Sequence, residues 1–166
     1  MDLKIRTIEN NDIELIRKWR NEQINILRQI KPISQIEQQE YFSNIHNDNR
    51  QILFAIEDAK LIGYCGLVNL NYIYSTAEIS FIAETEMDKI RYKDLFMYTL
   101  NYLADYAFNT LNLNKVWTET YEFRTHHVSI LEQFGMVKEG VLREHAFING
   151  RKYDSIIHSK LKEEYV

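Results

Sequence analysis

A chain of 166 residues, 45% apolar and 27% charged, is long enough to bury a sizeable core as one globular domain spanning 1–166. The net charge of −4 offers no basic face for a nucleic acid, and a single cysteine, Cys65, leaves no internal disulfide and no cysteine-based zinc site. No apolar run approaches the roughly 18 residues of a membrane span. The N-terminal "MDLKIRTIENNDIE" has no apolar stretch of signal type, so a cytoplasmic protein with no membrane partner is expected.

Taken in chain order, "LKIRTI" alternates apolar and polar residues and predicts a first strand. "NDIELIRKWRNEQINIL" sets Ile13, Ile16 and Trp19 at helical spacing, with Asn11 or Asp12 as N-cap. Lys18, Arg20, Arg28 and Lys31 gather positive charge here, either as a solvated face or as an attraction for an anionic small molecule. After Pro32, the only proline, Ser34 caps a second helix, "SQIEQQEYFSNI", whose apolar residues are Ile36, Phe42 and Ile45. "QILFAIED", "LIGYCGLVNL" and "TAEISFIAE" read as three strands, the first two joined by the turn "DAK".

The stretch that follows, "TEMDKIRYKDLFMYTLNYLADYAF", leads from a strand into a long helix, a junction whose free N–H groups suit an anion. Its helix is expected from Asp94 to about Leu111, with Phe96, Leu100, Leu103 and Ala107 on the buried face and Asp94 as the N-cap. "NKVWTETYE" predicts a fifth strand, and "THHVSILEQF" a short helix closed by Gly135. "GVLREHAF" and "KYDSIIHSKL" flank Asn149-Gly150, the strongest hairpin signal in the chain. The order β-α-α-β-β-β-α-β-α-β-β predicts an α/β fold. It would be a mixed, mostly antiparallel sheet of six to seven strands with helices on both faces, binding its ligand where neighbouring strands splay. The histidines show no metal-ligand spacing, and no metal is expected.

Two stretches, "LADYAFNTLNLNKVWTETYEF" and "SILEQFGMVKEGVLREHAFINGRKYDSIIHSKLKEEY", resemble the second half of Gcn5-related N-acetyltransferases (GNAT) that acetylate protein N-termini, polyamines and amino sugars. "KWRN" in the first helix, with the tail "LREHAFINGRKYDSIIH", is similar to members that act on nucleotide-linked amino sugars, such as the one of pseudaminic acid synthesis. The resemblance implies transfer of acetyl from acetyl-CoA to a primary amine, with a nucleotide-linked amino sugar as the preferred acceptor. A protein N-terminus, a polyamine or an aminoglycoside is the alternative, as is a lapsed member without CoA chemistry.

Carried over position by position, the resemblance sets pantetheine against the fourth strand at Ile79, Phe81, Ile82 and Ala83. The pyrophosphate loop, of pattern Gln/Arg-x-x-Gly-x-Gly/Ala, falls on Arg91-Tyr92-Lys93-Asp94-Leu95-Phe96, where Arg91 matches and both small positions do not. Arg124 stands where the family often has Asn, and Leu131 where it often has a Tyr that protonates the departing thiolate. Glu78 occupies a frequent general-base position, and Glu119 is an equal candidate to contact the substrate amine. Arg20 and Asn21 lie off the apolar face of the first helix and are expected at the mouth of the cleft. Tyr121, His127, Arg143 and His145 complete the expected acceptor site. A homodimer is compatible with this reading.

Overall fold

The structure, a computed structural model, describes residues 2–45 and 47–165. Its strands are β1 (Lys4–Arg6), β2 (Ile52–Asp58), β3 (Lys60–Asn71), β4 (Thr76–Ala83), β5 (Lys115–Tyr121), β6 (Val137–Ile148) and β7 (Arg151–Leu161). Its α-helices are α1 (Ile13–Glu22), α2 (Gln35–Ile45), α3 (Lys89–Asp105) and α4 (Thr125–Gln133). The strands form one sheet in the order β1-β2-β3-β4-β5-β7-β6, antiparallel everywhere except between β4 and β5. This is the mixed α/β architecture expected from the element order. None of the helices described is long and apolar enough to cross a membrane.

The sheet is covered on both faces because its inner strands are apolar on both. Neighbours such as Ala55 and Ile56, or Leu61 and Ile62, go to opposite sides. Ile56 and Ile62 join Leu95, Phe96, Leu100, Leu103 and Leu131 under α3 and α4, while Ala55 and Leu61 join Ile13, Ile16, Trp19 and Phe42 under α1 and α2. Ser34 caps α2 as its sequence predicts. Its Oγ accepts from the Glu37 N–H at 3.2 Å, and the Glu37 carboxylate accepts from the Ser34 N–H at 2.9 Å. Ile36 of the same helix faces solvent, contrary to its apolar character. Asn149 and Gly150 both take positive φ, 50° and 76°, as a two-residue hairpin between β6 and β7 needs.

The start of α3 is a correction. Asp94 does not cap the helix: α3 begins at Lys89, and Asp94 is an exposed residue of its second turn. The cap is Asp88, whose Oδ1 accepts from the N–H groups of Ile90 and Arg91, each at 3.0 Å. "RYKDLF" is therefore helix and not a loop around phosphates. Its Leu95 and Phe96 point into the core, 0% and 1% exposed, because helical spacing aligns them with Leu100 and Leu103.

Candidate active site

β4 and β5 pair only over Thr76–Lys115, Ala77–Val116 and Glu78–Trp117, and then part. Beyond that point Ile79 to Ala83 remain paired to β3 on one side, and Thr118 to Tyr121 to β7 on the other. The gap opens into a cleft of about 210 Å³ roofed by the segment that joins α1 to α2, which contributes Leu27, Arg28 and Gln29. Ile79, Phe81, Ile82, Tyr121, Arg124 and His127 of the expected site all line it.

At the fork sit two carboxylates that the strands withdraw from water. The side chain of Glu78 is 3% exposed and that of Glu119 is 9% exposed. Charged groups this buried require a partner. Arg28 provides it, donating from one Nη to Glu78 Oε1 and from the other to Glu119 Oε2 at 3.1 Å. Asn69 Nδ2 donates to Glu78 Oε2 at 2.7 Å. Glu119 Oε1 is buried with no hydrogen bond among the described residues, although His145 Nε2 stands 3.5 Å away. Arg28 was visible in the sequence only as one of a basic group, with nothing local to tie it to residues far along the chain.

The wall nearest α3 and α4 is aromatic. Phe96 stacks on Phe81 with centroids 4.6 Å apart and on His127 at 4.3 Å. Arg124 donates to Tyr92 Oη at 3.2 Å, which leaves the Tyr92 O–H to donate to His127 Nδ1 at 2.8 Å and the imidazole proton on Nε2. Burial, reinforced by the Arg124 charge, holds His127 well below its ordinary pKa of 6.5, so it is neutral. Burial likewise raises the Tyr92 phenol above its usual 10.0, and it too stays protonated. Leu131, where the family often has Tyr, is fully buried and carries no proton to give.

The remaining expected residues divide. Arg20 lines the cleft, with its Nε buried and without a hydrogen bond among the described residues. Asn21 does not reach it: its amide accepts from the Ile33 N–H at 2.8 Å and donates to the Ile33 carbonyl at 2.9 Å, pinning the α1–α2 connection. Ala83 is buried, and its carbonyl accepts from Gln23. Arg143 lies exposed on the bulged part of β6, outside the cleft lining. Arg91 is held by Asp58 at 3.2 Å and Glu84 at 3.6 Å, Lys93 lies within α3, and Leu95 is core, so none of the three shapes a phosphate loop.

The fit to acetyl-CoA is good at the strand and altered at the helix. The β5-facing edge of Ile79 to Ala83 has backbone groups free of sheet pairing, the arrangement that pantetheine amides need. Two of the first-turn N–H groups of α3, those of Ile90 and Arg91, are already taken by Asp88. Lys89 and Arg124 instead border an adjoining opening of about 380 Å³ whose lining also includes Glu84 and His126, so two side-chain cations stand where phosphates could be held.

A sequence description of the acetyltransferase (GNAT) domain matches residues 5–157. The chain belongs to the GNAT acetyltransferase family. It is an acyl-CoA-dependent N-acetyltransferase, with acetyl-CoA as its acyl donor. It is 33% identical over 157 residues to the spermidine N(1)-acetyltransferase of Vibrio cholerae, covering 92% of this chain and 88% of that one. The crystal structure of the V. cholerae spermidine N-acetyltransferase with CoA and spermine superposes with a TM-score of 0.87 at 30% identity, covering 98% and 97% of the two chains. A dodecameric structure of the V. cholerae enzyme superposes with a TM-score of 0.82 at 31% identity, covering 99% of this chain and 96% of that one. These likenesses overturn the expected nucleotide-linked amino sugar. They span the whole fold, whereas "KWRN" is a short match whose Asn21 the structure spends on a loop.

Proposed function

We propose that this GNAT domain, spanning 1–166, acetylates a primary amine of a polyamine such as spermidine. The observation that carries the reading is the convergence of two nearly buried carboxylates, Glu78 and Glu119, at the fork of β4 and β5. An acceptor with positive charge is what such a pair selects, since a neutral acceptor would leave it to Arg28 alone. The spermidine N-acetyltransferase relatives support the same acceptor.

Acetyl-CoA supplies the acetyl group as a thioester, which the amine attacks as its C–S bond breaks. An amine attacks only when neutral, so Glu78 or Glu119 accepts its proton, directly or through water. The free N–H groups of the β4 edge polarise the carbonyl oxygen as it becomes negative. With Leu131 unable to donate, the thiolate takes its proton from water or from the amine's own second proton. Cytoplasmic location follows from where acetyl-CoA and polyamines meet. Self-association is supported by the apolar Val137, Val141, Leu142 and Phe147, exposed along edge strand β6, and by the dodecameric relative.

The test is thiol release from acetyl-CoA in the presence of spermidine, spermine, an aminoglycoside or a peptide with a free N-terminus. The reading expects kcat/KM for a polyamine to exceed the others by at least about tenfold. Turnover of the peptide or the aminoglycoside with none of either polyamine overturns it.

A further inference from the structure

Among the described residues Arg28 is the one cation that touches both carboxylates at the fork, and it does so from the connection between α1 and α2 rather than from the sheet. Its side chain is 48% exposed while those of its partners are 3% and 9% exposed. The guanidinium therefore closes the cleft from outside, with its own outer side still in water. It is also the only charge the described residues bring within bonding distance of Glu78.

We propose that Arg28 is a tethered stand-in for the acceptor's ammonium, which must displace it, so that Arg28 sets which amines the enzyme accepts. This rests on the reading of Glu78 and Glu119 as the acceptor-binding pair. Three features of the site support it. An alkylammonium and a guanidinium satisfy the same carboxylates, and the Arg28 guanidinium already bonds both of them. Glu119 Oε1 is buried and receives no hydrogen bond among the described residues, His145 Nε2 standing 3.5 Å off, so Arg28 leaves the pair incompletely satisfied and an N–H donor that reaches this oxygen gains a bond that Arg28 does not make. The exposed Arg28 side chain keeps its charge hydrated when it swings out, so its release costs little desolvation, whereas the carboxylates cannot be left bare. A monoamine only exchanges one positive charge for another. A polyamine brings further ammonium groups, which remain attracted to the acidic fork and to the chain's net negative charge, and so displaces Arg28 more readily.

The experiment compares wild type with Arg28→Ala, and with Arg28→Gln should the first fail to fold, each checked by circular dichroism and thermal unfolding. Calorimetry with guanidinium chloride and with butylammonium chloride at millimolar concentration measures occupancy of the fork without any turnover. The variant is expected to bind each cation at least about tenfold more tightly than wild type. Its KM for spermidine should fall, and that for a monoamine should fall further, narrowing the preference for polyamines. Cation binding equal to or weaker than wild type, or a raised KM for every amine, overturns the proposal and makes Arg28 a structural counter-ion. The calorimetry needs no polyamine turnover, so a wild type that acetylates no polyamine refutes the proposed acceptor and leaves the Arg28 result to be read separately.

Discussion

Replacing Asp88 with Ala should weaken the fold and strengthen acetyl-CoA binding at once. In the free protein the Asp88 carboxylate accepts from the N–H groups of Ile90 and Arg91 at 3.0 Å each, and its charge complements the positive end of α3. Loss of an N-cap of this kind costs about 1 kcal/mol, which lowers Tm by about 2–4 °C in a domain of this length. The same change frees two donors at the helix start and removes a negative charge from the neighbourhood of Lys89, Arg124 and His126, where phosphates are expected. Relief of that repulsion should tighten binding of acetyl-CoA by roughly three- to tenfold, about 1 kcal/mol. Thermal unfolding measures the first effect and calorimetry the second. Dephospho-CoA should gain like CoA, pantetheine should gain nothing, and the gain should shrink as salt rises. Asp94→Ala is the control: an exposed mid-helix carboxylate with no capping bond, it should change stability by less than about 0.5 kcal/mol. If Asp94→Ala tightens binding and Asp88→Ala does not, the phosphates lie over the second turn of α3 and the placement argued above is wrong.

Glu78→Gln should lower kcat by roughly 10²-fold, most at low pH where neutral amine is scarce, with Glu119→Gln affecting KM more than kcat. A Glu78→Gln enzyme with an unchanged rate at every pH would transfer the proton-accepting role to Glu119. Stability should fall with acid below about pH 6.5, for a reason separate from catalysis. Burial depresses the folded pKa of both His127 and His158 below 6.5, so the unfolded chain binds protons that the folded one refuses. Their contribution is complete above pH 6.5 and is lost as pH falls towards the folded values. Denaturant titrations between pH 5 and 8 should show a shallower acid loss for His127→Gln than for wild type, and equal slopes would remove His127 from the account.

The fold was legible because each element carries its own local signal. The apolar run of "QILFAIED", the Gly135 stop and the Asn149-Gly150 turn all act over a few residues, and the structure places strand, cap and hairpin there. The start of α3 was not legible in the same way. Asp88 and Asp94 are both followed by plausible first turns, and alignment to a glycine pattern favoured the later one. What decides is the core: Tyr92, Leu95 and Phe96 must all be helical for Phe96 to stack between Phe81 and His127. That stack joins three separate elements, β4, α3 and α4, and no window of sequence contains it.

The acceptor end of the site was hidden for a related reason. Arg28 meets Glu78 across a sequence separation of 50 and Glu119 across 91, and it does so from a connection with no periodicity to read. In the sequence its charge counts with Lys18, Arg20 and Lys31 as either a solvated face or an attraction for an anion, the second of which agrees with a phosphate-bearing sugar. In the structure the same charge is spent on two carboxylates, and what the fork offers an incoming molecule is the acidity that Arg28 covers. On the proposed reading, the sign of the favoured ligand is thus reversed by a single contact. Local charge counts give the sign of a surface. The sign of a buried site depends on which charges neutralise one another, and here that is set by where one loop folds back over the parting of β4 and β5.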